Sequence, residues 1–595
     1  MKKISLDTPR RRARFAVTLA AGALALLGLV VFRTQVLREG AEVLVQQGNR
    51  LRSLPLPAPR GSIFDRHGVL LAGSDSATAL VLMPAPPDSM QARLERLARL
   101  LDLPQSWRER AERVARATSR PFVVTTELAP ADVVKLAASH RELPGVLLEP
   151  WPRRTYPAGP AAEPVVGRVG SATWPPGSGE NPIGVDAGRI VGRAGLELAF
   201  DSLLAGVAGL RYVEMGPAGS VVTDPTQAPY RTPIRGRVLR TRLDLGLQRH
   251  IAELLPTRVR AAAVVLDIPT GDVLALYSNP PNVPGREAQG GDAAGNVPVT
   301  DVEPPRAVFQ PITAALAMET GHIDLQRPQA IPCRGGMRYG ERYFRCWKPD
   351  GHGQLALEGA IREACDVYFY QIALRLGLQA LLEAGARLGL GAPTGIELPE
   401  ERPGTFPSDV AELAARLGRA PNPSDALDLA TGQGINELTL LRTTHAYAAI
   451  ANGGGAPAPR LTGAAPADEP RRLELPPERT RDLLAMLDGV TGAGGPAAAA
   501  GRMMSGGTRI RGQITRARTQ PGAARPTGWF VGVAGDDGQP DRIAIGVLLD
   551  RSPSDEAPAA LAARIADYYL RIVRDAAAPA APDTTTASST TVPTI

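Results

Sequence analysis

All three cysteines of this 595-residue chain fall within one short run, beside one of its six histidines. The order is Cys333, Cys346, His352, Cys365, with twelve, five and twelve residues between successive members. Three thiols and an imidazole so grouped constrain folding strongly, because a shared ion would force four separated backbone points to converge. The set suits Zn²⁺, which takes sulfur and nitrogen ligands in closed tetrahedral sites. A Cys333–Cys346 disulfide, with Cys365 a buried thiol and His352 an ordinary loop histidine, is the alternative in an oxidising compartment.

The N-terminus sets that compartment. Phe15 to Phe32 is an 18-residue stretch without a charge, preceded by Lys2, Lys3, Arg10, Arg11, Arg12 and Arg14. A helix of that length roughly matches a bilayer core of about 30 Å. The positive-inside rule places residues 1–14 in the cytoplasm, 15–32 in the inner membrane, and the bulk of the chain in the periplasm. No small-residue cleavage site follows, so an uncleaved anchor is expected rather than a signal peptide. The net charge of +7 is spread without a long basic run, and no nucleic-acid-binding motif accompanies it.

Residues 33–56 are expected to form a juxtamembrane helix ended by Pro55, Pro57 and Pro59. Pro59 to Ser74 should give two strands around a His67-Gly68 turn, with Asp65 and Arg66 in structural roles. Leu239 to Leu254 suggests a strand and an amphipathic helix. Ala262 to Ser278 suggests a hairpin turning at Pro269-Thr270-Gly271-Asp272. A helical region follows from about 307 to 455, then two strands within 528–550 and a helix over 559–575. The Ala/Pro/Thr/Ser-rich tail, 576–595, is expected to lack a core. Helices covering a mostly antiparallel sheet make an α+β sandwich.

Six segments in order carry a resemblance: PRGSIFDRHGVLLA, RTYPAGPAAEPVVGRVG, the stretch GRAGLELAFDSLLAGVAGLRYVEMGPAGSVV containing Gly195-Leu196-Glu197, RLDLGLQRHIAELL, AAVVLDIPTGDVLALYSNP and ATGQGINELTLLRTTHAYAAIANGGG. Together they resemble the class B penicillin-binding proteins, nearest the penicillin-binding protein 2 type. The resemblance implies a pedestal (dimerisation-like) domain over 57–235 and a transpeptidase-like, serine β-lactamase-like domain over 236–575. It also implies peptidoglycan synthesis and cell-shape maintenance, with a SEDS-type glycosyltransferase and elongation proteins as partners. Relatives of the type carry a zinc site in this region, and the resemblance carries its ligands onto Cys333, Cys346, His352 and Cys365.

The family's serine acyl transfer uses three motifs, and this sequence departs from all of them. Ser-x-x-Lys pairs a nucleophile with a base one helical turn away. Within EPPRAVFQPITAALAMETG, Ala307 holds the serine position and Gln310 the lysine position. In the Ser-x-Asn/Asp motif Ala364 replaces serine, Cys365 is central and Asp366 remains. The Lys-[Ser/Thr]-Gly-[Ser/Thr] motif should lie on an edge strand in GRMMSGGTRIRGQ. The preferred register is Ser505-Gly506-Gly507-Thr508, without lysine; the alternatives place Met504 or Arg502 at the lysine position. A methyl group is no nucleophile and a carboxamide is no base near neutral pH. The expectation is a non-catalytic homologue acting by contact. Two alternatives stay open: an active D,D-transpeptidase with a displaced hydroxyl (Ser505, Thr508 or Thr313), and a module that binds stem peptides without cleaving them.

Overall fold

The computed structural model describes residues 16–28 and 51–577, apart from 104, 118–120, 172–189, 215–229, 280–295, 324, 326–328, 464–472 and 517–526. The cytoplasmic tail, both ends of the apolar segment, residues 33–50 of the expected juxtamembrane helix, and 578–595 of the tail lie outside these residues. Residues 16–28 are helical, with exposed side chains. No helix among the described residues is long and apolar enough to cross a membrane.

Residues 51–56 correct one expectation. They form strand β1 (Leu51–Leu56), not the end of a helix. Leu54 and Leu56 are buried while Pro55 between them is exposed, the alternation of a half-buried strand. Pro55 is tolerated because β1 is the edge of the sheet β1-β8-β9, formed with β8 (Gly209–Glu214) and β9 (Tyr230–Arg231).

The rest of the first domain is built on β2 (Ile63–Phe64), β3 (Leu70–Leu82), β4 (Phe122–Thr125) and β5 (Val146–Thr155). A small pair, β6 (Val169–Ser171) and β7 (Ile190–Gly192), lies beside them. The β2–β3 turn works through Asp65: its Oδ1 accepts from the backbone N–H of His67 (2.8 Å) and Val69 (2.7 Å), and Gly68 takes φ +84°. Glu197 anchors the domain from within. Arg60 Nε donates to its Oε2 at 2.5 Å and Arg154 Nε to its Oε1 at 2.6 Å, and Arg60 also reaches Asp201 at 2.7 Å. Two guanidiniums against two carboxylates leave this buried cluster neutral, the condition under which burying charge is tolerable.

The second domain begins after β10 (Leu239–Arg240), which pairs in parallel with β2. Asp244 caps the helix Leu245–Leu254, accepting from Leu247 N at 3.0 Å. The expected hairpin is present as β11 (Ala261–Asp267) and β12 (Val273–Asn279), with Gly271 at φ +72° in the turn. The helical region runs from Gln310–Glu319 to Leu440–Ala451, but four short strands interrupt it: β13 (Ile331–Cys333), β14 (Gly336–Tyr339), β15 (Arg342–Arg345) and β16 (Gly353–Leu355).

Three strands follow that region: β17 (Thr508–Ile514), where the third motif is expected to give an edge strand, and β18 (Gly528–Asp536) and β19 (Ile543–Leu549), the two expected within 528–550. They complete an antiparallel sheet of order β12-β11-β19-β18-β17, which leaves β17 at the edge. The helices Leu245–Leu254 and Ala557–Ala577 pack on this sheet, as does Leu440–Ala451, so β11, β18 and β19 are buried nearly throughout. Leu440–Ala451 sits so close that a Cβ at Gly546 would meet Thr444 Oγ1 at 2.2 Å.

Candidate functional site

The four-residue thiol–imidazole set converges because each member ends or begins an element. Cys333 closes β13, Cys346 follows β15, His352 precedes β16, and Cys365 stands immediately before the helix Asp366–Leu376. Pairing of β13 with β16 sets Cys333 opposite Gly353. Backbone bonds from Cys346 N to Gly335 O (3.0 Å) and from His352 N to Cys333 O (3.1 Å) close the loop. That closure requires glycine: a Cβ on Gly351, at φ +79°, would meet Cys333 O at 2.2 Å.

One ligand atom from each of the four residues lies within 4.8 Å of all the others. Cys346 Sγ and His352 Nδ1 are 3.6 Å apart. Zinc bonds of about 2.3 Å to sulfur and about 2.0 Å to nitrogen give a tetrahedral edge of about 3.6 Å, so that spacing fits. All three cysteines are free, buried thiols. A hydrogen bond from Cys365 holds Cys346 well below the usual thiol range, and the same contact with burial pushes Cys365 up. The donor set, its burial and this readiness to hold a thiolate fit a soft metal ion.

The altered first motif abuts this set. Ala307 is buried in the turn Arg306–Phe309, directly before the helix Gln310–Glu319. Arg306 holds φ +53°, a conformation costly for a non-glycine residue. Gln310 is fully buried; its Nε2 donates to Asp366 Oδ1 at 3.1 Å and its Oε1 has no partner. Asp366 Oδ2 accepts from Trp347 N at 3.1 Å. Burial, then the charge of Cys346, raises the Asp366 carboxyl well above the ordinary range. Ala364, at φ +52°, sits in the bend between Leu357–Arg362 and Asp366–Leu376.

Trp347, a residue whose type suggests core packing rather than a binding platform, is half-buried and ties these segments together. Its backbone bonds Asp366, its indole Nε1 donates to Glu363 O at 2.9 Å, and Arg516 stacks over its ring at 4.1 Å. It clasps the bend from both sides.

The third motif falls differently from the preferred register. Ser505, Gly506 and Gly507 form the turn before β17, and only Thr508 lies on the strand. Ser505 N donates to Asp567 Oδ1 of the last helix at 2.7 Å. Met504 and Arg502 lie before that turn, Arg502 within the helix Ala498–Met503. The first strand positions are Thr508-Arg509-Ile510-Arg511, again without lysine. Arg509 and Arg511 both reach Asp541 at 3.4 Å. Two of the displaced nucleophile candidates are already committed: Thr508 Oγ1 donates to Ser505 O at 2.8 Å, and the buried Thr313 Oγ1 to Ala430 O at 2.6 Å.

Comparison with known proteins agrees with this frame. Residues 261–570 match the penicillin binding protein transpeptidase domain family, and residues 55–241 match the penicillin-binding protein dimerisation domain family. Peptidoglycan D,D-transpeptidase MrdA of Escherichia coli K12 is 31% identical over 473 residues, covering 75% of this chain and 74% of that protein. The Acinetobacter baumannii protein of the same name is 28% identical over 485 residues, covering 79% and 71%. Among solved structures, penicillin-binding protein 2 in its complex with MreC from Helicobacter pylori superposes with a TM-score of 0.70 at 21% identity, covering 88% of this chain and 99% of that one. At that identity the likeness shows the fold. The chain belongs to the class B penicillin-binding proteins, in the penicillin-binding protein 2 group.

Proposed function

We propose that this chain is a non-acylating penicillin-binding protein 2 homologue, anchored by residues 15–32, that serves peptidoglycan assembly during elongation as a scaffold. One observation carries the reading. At the nucleophile position stands the Ala307 methyl, and at the base position the Gln310 carboxamide is spent on Asp366. Acyl transfer needs a hydroxyl poised against a base, and neither is present there.

Zn²⁺ would be held by Cys333, Cys346, His352 and Cys365. Four protein ligands leave no open position, so the ion would stabilise the fold and activate no water. The solved relatives include a penicillin-binding protein 2–MreC complex, and a chain solved in a study of how a peptidoglycan synthase complex coordinates polymerisation and crosslinking, 26% identical with a TM-score of 0.60. They support elongation-complex partners generally; we take these to include a SEDS-type glycosyltransferase, reached through the membrane segment and residues 57–235.

A fluorescent penicillin tests the reading on the purified full chain. No covalent label is expected. An acyl adduct located by mass spectrometry on Ser505, Thr508 or any other side chain would replace it with an active transpeptidase. Co-purification with a polytopic glycosyltransferase, lost on deleting 57–235, is the expected result for the scaffold.

A further inference from the structure

The residues between Cys333 and Cys346 include four arginines and one glutamate. They fold as the β14–β15 hairpin, whose strands pair antiparallel, Met337 opposite Phe344 and Arg338 opposite Tyr343. Phe344 is buried and packs edge-on against Tyr370, with ring centroids 5.4 Å apart. Side chains alternate along strands, so Arg338, Tyr343 and Arg345 share the opposite, outward face. All three are exposed, Tyr343 by 53%.

This face is ordered rather than loose. The Tyr343 ring lies over Gly336: a Cβ there would meet its Cζ and hydroxyl at 2.7 Å. Tyr370 donates to Arg345 O at 3.1 Å, and the Cys346 N to Gly335 O bond closes the base. Arg342, on the inward side, stacks over Phe344 at 4.4 Å and pairs with Asp428 at 3.0 Å. Among the described residues no carboxylate pairs with Arg338 or Arg345. An exposed aromatic ring thus stands between two guanidiniums that have no internal counter-charge.

We propose that this outward face is a binding site, separate from the vestigial pocket, for uncrosslinked glycan strands bearing stem peptides. A sugar ring would lie on Tyr343, and stem-peptide carboxylates would pair with Arg338 and Arg345. Arginine suits carboxylates through its planar fork of donors, and an aromatic face offers apolar area at little conformational cost. A face of three side chains is far smaller than the roughly 800 Å² per partner of a stable protein interface. It suits a repeating polymer, on which weak contacts add through multivalency. The proposal rests on the peptidoglycan reading above, yet it requires no acyl transfer.

The test is co-sedimentation of the detergent-solubilised full chain with purified peptidoglycan sacculi at physiological salt. Wild type is expected in the pellet. Arg338→Ala with Arg345→Ala, and separately Tyr343→Ala, should each lower the bound fraction about fivefold, as expected for losing exposed charge-assisted or aromatic contacts. Arg338→Lys with Arg345→Lys should retain most of the binding. A triple alanine variant that sediments like wild type overturns the proposal, as does a wild type that stays in the supernatant. Displacement by polyglutamate but not by soluble muropeptides also overturns it and assigns the face to an acidic protein. Penicillin labelling is read independently, so either idea can fail alone.

Discussion

Replacing Asp366 by alanine should destabilise the second domain by about 2–4 kcal/mol, a figure built from two orphaned donors at roughly 1–3 kcal/mol each. In the wild type the carboxylate accepts from Gln310 Nε2 and Trp347 N, both at 3.1 Å. The upper end is trimmed because alanine also removes a buried carboxyl whose raised pKa marks a desolvation cost. Asp366→Asn keeps one acceptor and turns an N–H against the other donor, so it should cost about half as much. Urea unfolding of metal-saturated protein, followed by tryptophan fluorescence, reads the effect. Gln310→Met supplies the control. It removes one donor without changing volume much, so Asp366→Ala should cost roughly 1–2 kcal/mol less in that background. A loss below about 1 kcal/mol, or identical losses in the two backgrounds, would show that the carboxylate does not staple the two segments.

Two further outcomes follow from the geometry. Metal analysis should return one ion per chain, with three thiols titratable after denaturation in chelator, and chelation should lower the unfolding temperature; no metal and two fewer thiols would indicate a disulfide instead. His445 Nε2 donates to Pro457 O (3.0 Å), and burial lowers its pKa to about 4. Its unfolded value is about 6.5, so the unfolded chain binds the proton first, and stability should be full above that pH and fall by at most about 3 kcal/mol as pH drops towards 4. Wild type and His445→Gln should differ in that limb of the urea-midpoint profile, and parallel profiles would refute the assignment.

How far local sequence carries the fold depends on where each element's partner lies. The β11–β12 hairpin is legible because both strands and their Pro-Thr-Gly-Asp turn sit together. Residues 51–56 are not, because prolines that end a helix are equally at home on an edge strand. What decides is pairing with Gly209–Glu214, far along the chain. β17 is legible through the edge strand expected of the third motif rather than through its own residue pattern. Its Arg509 and Arg511 break the aliphatic pattern of a strand, and Asp541, with Asp537 for Arg509 and Asp488 for Arg511, makes them acceptable there. The register of the third motif turns on Asp567, which holds Ser505 in the preceding turn. The thiol–imidazole quartet is legible since its spacing is short. That Gln310 would bond Asp366 is not, because nothing in either segment fixes the distance between them.

That bond bears on why the frame has kept its shape around the altered residues. In the first motif a carboxamide at 310 has lost basicity but still donates a hydrogen bond, and Asp366 needs a donor. The same carboxylate takes the backbone of Trp347, whose neighbour Cys346 belongs to the candidate metal set, while Asp366 itself adjoins Cys365. The altered first and second motifs and the candidate metal loop are thus tied at one buried side chain. Losing the nucleophile at Ala307 touches none of these bonds. Losing the donor at 310 would leave Asp366 with one partner in a site from which water is excluded, the costlier change. Selection for a stable fold alone would then tolerate alanine at 307 and restrict 310 to residues that can donate. A saturation library at the two positions, sorted for folded protein rather than activity, should accept small residues freely at 307 and admit chiefly Gln, Lys and Asn at 310. Equal tolerance of leucine at 310 would remove the structural reason for the pairing.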